Sequence, residues 1–163
     1  MKSSYRFKLI SSVVALLLGS AVLSAIDGPK YGLAADNHSY AQQLVNEIMA
    51  ANPGLLAAGM HCVPPGKDKQ AIIASTLNVI GKPSDPEDVL RGSTVIAPNL
   101  KVPKLGIMLP LHDSAGKEIG SLALQFKFQP DEDQVKFLAE ATAIRDHVAR
   151  QIPAAADLFN QSP

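Results

Sequence analysis

Two stretches of strict apolar alternation stand in the second half of the chain. Leu105, Ile107, Leu109 and Leu111 occupy every second position, and after a polar interval Leu122, Leu124, Phe126 and Phe128 do the same. A period of two puts such side chains on one face of a strand, so 105–128 is predicted to form an antiparallel hairpin. The interval Asp113-Ser-Ala-Gly116 supplies the turn: the Asp113 carboxylate accepts from amides ahead of it, and Gly116 takes the positive φ that such loops require.

The remaining segments follow from the same patterning. Tyr40, Leu44, Val45, Ile48 and Met49 recur at helical spacing, with Asn37 or Ser39 as N-cap and Asn52-Pro-Gly as a stop. In 55–63, Leu56, Ala58, Met60 and Cys62 alternate with Leu55, Ala57, Gly59 and His61. Both sets are mostly apolar, which predicts a strand buried on two sides. Pro64-Pro-Gly66 ends it, and a second strand is expected over 70–77. Pro83-Ser-Asp-Pro-Glu-Asp88 reads as the start of a short helix, capped by Ser84 or Asp85 and ending near Arg91-Gly92. A strand is expected at 94–97, after which Pro98 and Pro103 predict a loop. Finally Pro130-Asp-Glu-Asp133 opens a long helix whose Phe137, Leu138, Ala141, Ile144, Val148 and Ile152 share one stripe, and Pro153 stops it. The fold class is therefore α+β: an antiparallel sheet of four to five strands flanked by an N-terminal helix, a short middle helix and a long C-terminal helix. The βαβ alternation of a parallel nucleotide-binding sheet is missing.

The N-terminus changes the picture of the compartment. Lys2, Arg6 and Lys8 precede an apolar run over 9–23 broken only by small residues, the layout of a secretory signal. The 163 residues divide into a signal over 1–25, with cleavage between 21 and 34, a linker over 26–36, one domain over 37–153 and a tail over 154–163. Periplasmic or secreted location is expected, with no transmembrane segment after cleavage. An uncleaved anchor is the alternative, although the run falls short of the roughly 20 residues that span a bilayer. Removal of Lys2, Arg6 and Lys8 takes the balanced 15 basic and 15 acidic residues to a net charge of about −3. Nucleic acid is not an expected partner, for no basic cluster interleaved with aromatics is present. The single cysteine, Cys62, excludes an intramolecular disulfide and reads as a small apolar core residue.

Candidate chemistry is sparse. His61 lies mid-strand beside the small Ala57 and Gly59, where a ligand would find room; the plainer reading is a buried histidine bonded to a neighbouring group. Ser75 offers a hydroxyl if its strand lines a pocket. Arg91 follows the short acidic helix and either closes its planar fork over a carboxylate or is a solvated charge at a helix end. Met108 joins His61 or His112 only in a haem or metal reading, and the spacings that metal sites require are absent, so no cofactor is expected. No G-x-S-x-G, P-loop or calcium loop occurs.

The residues Ile72-Ile-Ala-Ser-Thr-Leu-Asn-Val-Ile-Gly-Lys-Pro-Ser-Asp-Pro-Glu-Asp88 and Met108-Leu-Pro-Leu-His-Asp-Ser-Ala-Gly-Lys-Glu-Ile-Gly-Ser-Leu122 resemble the extracytoplasmic PAS-like Cache sensor domains. In such domains one antiparallel sheet flanked by helices cups a small molecule. The resemblance implies a small-molecule binding or sensing module; with no catalytic motif in the sequence no enzymatic activity is expected, and His61, Ser75, Arg91 and Met108 are the candidate ligand contacts. Sensors of this group usually carry a second membrane helix and a signalling module, so this chain is expected to report through a membrane-bound partner protein. An interaction module with no ligand of its own, docking through its sheet or long helix, is the second reading, and a haem- or metal-binding protein the third.

Overall fold

The computed structural model describes residues 38–84, 92–99 and 101–161. The expected signal, the linker, Arg91 and the body of the middle helix lie outside them. The described chain runs α1 (Tyr40–Ala51), β1 (Leu55–Cys62), β2 (Ala71–Ser75), β3 (Val95–Asn99), β4 (Lys104–His112), β5 (Glu118–Lys127) and α2 (Gln134–Ala149), followed by a 3-10 helix at Ala155–Phe159. All neighbouring strands are antiparallel and stand in the order β2-β1-β5-β4-β3. No described helix is long and apolar enough to cross a membrane.

Both long helices cover one face of this sheet. Leu105, Ile107, Leu109 and Leu111 of β4, Leu122, Leu124 and Phe126 of β5, and Phe128 just after it are each at most 2% exposed. With Ala58, Met60 and Cys62 of β1 they meet Leu44, Val45 and Ile48 of α1 and Phe137, Ala141, Ile144 and Val148 of α2. Phe137 sits against both Phe126 and Phe128, with ring centroids 5.4 and 5.8 Å apart, in the tilted and edge-on arrangements that aromatic pairs favour.

The caps form as local chemistry directs. Ser39 Oγ accepts from the Gln42 amide at the start of α1. Asp133 Oδ1 accepts from the Val135 amide, so α2 begins at Gln134 rather than at Pro130. The earlier acid, Glu132, is used in a turn, where its carboxylate accepts from the Gln129 amide. In the β4–β5 loop Asp113 Oδ1 accepts from Ala115 and Lys117 amides at 3.0 and 2.9 Å, and Gly116 has φ 83°. The neighbouring Ser114 amide donates to Ile152 O, tying the turn to the end of α2. Asp113→Ala is expected to cost about 2 kcal/mol, since two bonds to a buried carboxylate disappear, whereas Ser114→Ala, at an exposed hydroxyl, stays within about 0.5 kcal/mol. Urea unfolding of both variants checks this.

Two expectations are corrected. The strand expected to stop at Ala97 continues through Pro98 to Asn99. Proline is tolerated there because β3 is the sheet edge, where a missing N–H leaves no ladder bond unmade. The last residues are not a loose tail: Leu158 is fully buried, the Tyr40 amide donates to Asn160 O at 2.8 Å, and Ser39 bridges Gln161. A one-turn apolar plug carries no readable periodicity, so its docking onto α1 emerges only in three dimensions.

Candidate functional site

Alternation places on the second face of the sheet every residue that the core does not use. Register aligns them in three rows. The first crosses Ile72, His61, Ser121 and Pro110; the second Ser75, Gly59, Ala123, Met108 and Val95; the third Ala57, Gln125, Gly106 and Ala97. Small side chains dominate the middle, so the floor is flat. Exposure varies along the face: Ala97 is exposed and Gln125 half-buried, whereas Ala57, His61 and Ser121 are buried, the last two 8% and 0% exposed. At the open end Ala97, Gly106, Gln125, Asn99, Lys101 and Lys104 line a groove of about 560 Å³.

The first row ends in polar side chains. His61 Nδ1 and Ser84 Oγ are 2.7 Å apart, and both groups are buried. The segment bearing Ser84 is pinned beside β2, because the Ser84 amide donates to Gln70 O and Ala71 bridges Pro83. Burial lowers the His61 pKa to about 4, so the ring is neutral at physiological pH. Ser121, paired with His61 across β1 and β5, has a buried hydroxyl with no hydrogen-bond partner.

Three of the four residues singled out from sequence thus share this face: His61, Ser75 and Met108. Arg91 falls outside the described residues. The Ser75 hydroxyl is already engaged, accepting from the Leu77 amide at 3.0 Å. Ser84, expected as a helix cap, has its hydroxyl against His61; the residues it would cap lie outside the described ones. Ser121 and Ser84 escaped sequence reasoning. The alternation of β5 does put Ser121 opposite its leucines, but nothing local shows that this face is buried.

Cys62 packs on the helix side. Its thiol donates to Ile119 O at 2.9 Å, and burial pushes its pKa up to about 11. The group is a protonated core thiol rather than a nucleophile. At pH 8 the native protein should react with a disulfide reagent at least about tenfold more slowly than the unfolded chain; equal rates would contradict the burial. No group of three or more His, Cys, Asp or Glu among the described residues is arranged to hold a metal ion. A second concavity, about 370 Å³, lies between α1 and α2 over Leu44, Ile48, Ile144 and Val148 with Glu47 and Glu140 at its rim.

No family model matches the chain, and no curated protein matches it. Solved structures similar to it include a type II free methionine-R-sulfoxide reductase from Thermoplasma acidophilum, 17% identical over 72% of this chain and 91% of that one, with a TM-score of 0.47. The GAF domain of a two-component sensor histidine kinase from Bacillus halodurans is 16% identical over 68% and 91%, with a TM-score of 0.48. A free methionine-R-sulfoxide reductase from Neisseria meningitidis, determined in complex with its substrate, is 18% identical over 72% and 83%, with a TM-score of 0.42. The expectation that the chain has no enzymatic activity is therefore withdrawn, since two of these three structures are reductases. Likeness at this level gives no residue of this chain a role.

Proposed function

We propose that the chain binds a small molecule on the second face of its sheet, as a binding or sensing domain that works with a partner protein. The observation that carries this reading is the groove of about 560 Å³ over Ala97, Gly106 and Gln125, on the same sheet face as the small residues Gly59 and Ala123. Ligand sites combine such concavity with a few placed polar groups. Export belongs to the same proposal and is supported by the basic and apolar pattern of residues 2–23; the N-terminal sequence of protein recovered from the periplasm or medium tests it.

The binding test is a thermal-shift screen of organic acids, amino acids, amines and neutral heterocycles against the wild type and Ala123→Leu. Leucine at 123 fills the half-buried middle row without touching the helix-side core. A ligand at 100 times its Kd should add about 2.7 kcal/mol to the wild type, and the variant should lose this gain while keeping its own unfolding midpoint. A screen with no stabilising compound, or binding indifferent to Ala123→Leu, would overturn the proposal.

A further inference from the structure

Resting on the reading of this face as a small-molecule site, we infer that the groove over Gly106 takes a ligand bearing an oxyanion, a carboxylate or a phosphate, held by Lys101 and Lys104 with its less polar body on Ala97 and Gly106. Strand register and one turn assemble the donors. Lys104 stands between Asn99 and Lys127 in a row across β3, β4 and β5, on the same face as Gly106 and Gln125. Asn99 bends the chain back after β3. Its Oδ1 accepts from the Lys101 and Val102 amides at 3.0 and 3.1 Å, and Lys101 thereby lines the same groove as Lys104. With its oxygen so engaged, Asn99 has only its Nδ2 hydrogens left to offer.

This set of groups is one-sided, because an ammonium only donates. No described residue lining the groove is an Asp or Glu, and none of Lys101, Lys104 and Lys127 forms an ion pair with a described residue. Lys127 also borders a hollow with Glu132 and Glu140 but pairs with neither. Like charges directly opposite in a ladder work against the sheet, so the juxtaposition of Lys104 and Lys127 is a local cost that a bound anion removes. Ala97, Pro98 and Gly106 bring no polar side chain, and the half-buried Gln125 adds one amide beside them. A volume of about 560 Å³ suits a small molecule. An acidic peptide added as a strand fits less well, since Pro98 supplies no N–H to the open edge of β3.

Benzoate, phenyl phosphate and benzamide share a ring and differ in charge. Backbone amide shifts of Gly106 and Gln125 would be followed by NMR in the full chain, with each probe at up to about 20 mM, a range that suits ligands of this size. The expected result is saturable movement of both amides with at least one of the anions, binding at least about fivefold tighter than benzamide. The tighter of the two anions assigns carboxylate or phosphate. Lys104→Gln should weaken the anion at least about threefold and leave benzamide unchanged. Raising NaCl from about 20 to about 300 mM should act in the same direction, because the screening length falls from about 20 to about 6 Å. Without ligand, Lys104→Gln should melt no lower than the wild type, since it relieves the pair with Lys127. If it does melt lower, Lys101→Gln, at an exposed side chain, decides: anion binding unchanged in that variant overturns the inference. Benzamide binding as tightly as the anions, or anion binding indifferent to both Lys104→Gln and salt, would overturn the anion and leave the groove as a binding site. Silence at Gly106 and Gln125 with all three probes overturns this inference alone if the wider screen finds a stabilising compound, and the proposed function with it if the screen finds none.

Discussion

Gly120→Ala is expected to destabilise the protein by about 3 kcal/mol or more. Gly120 opposes Cys62 in the β1–β5 ladder and has φ 155°, and a Cβ added there would overlap the carbonyl oxygen of His61. Backbone, not a flexible side chain, stands in the way, so relief requires the two central strands to part. Two other glycines grade the measurement. Gly116→Ala meets nothing within 4 Å but sits at φ 83°, which costs about 1 kcal/mol of strain; Gly54→Ala also meets nothing and should be near neutral. Urea unfolding of the three variants should rank them in that order. A Gly120→Ala protein as stable as Gly54→Ala would mean that β1 and β5 do not approach as described.

Acidification should destabilise the fold through His61. The folded pKa is about 4, lowered by burial, against an unfolded value near 6.5. Between those values the unfolded chain binds the proton and the native state does not, so stability rises with pH across this window. The contribution is complete above about pH 6.5 and falls by about 3 kcal/mol as the pH drops to 4. Unfolding free energies of wild type and His61→Gln, measured at intervals from pH 7 to pH 4, isolate it: the carboxylates are common to both, so the difference in slope belongs to His61. Parallel curves would show that His61 titrates normally and that water reaches its ring.

The β4–β5 hairpin was legible residue by residue. Period-two patterning named the eight core side chains of its two segments, and Asp113 with Gly116 named the turn, because each depends only on neighbours a few positions away. The same holds for α1 and most of α2, where caps and stripes are local. Where local rules competed, the sequence was ambiguous. Pro98 signals a loop unless the strand is an edge, and only the sheet order makes it one. Pro110 lies inside β4 for a related reason: β3 ends opposite Met108, so the proline stands beyond it, and its carbonyl accepts from Arg145 Nη1 at 3.1 Å. The 3-10 helix escaped notice because five residues show no period, though Leu158 is as deeply buried as any core leucine.

The site divides along the same line. His61 and Met108 drew attention as residue types beside small neighbours, and the sheet sets both on the second face. His61 and Ser84 are 23 residues apart, and their 2.7 Å contact depends on how 81–84 folds back along β2. Ser121 is one serine among several until register sets it opposite His61. By itself the sequence determined the α+β class, the antiparallel hairpin, the two main helices and the side chains that form the core, because hydrophobic periodicity and turn chemistry act over a few residues. Only the tertiary structure decided which polar groups meet and which are buried without a partner, since both follow from strand register and from the packing of segments far apart in the chain.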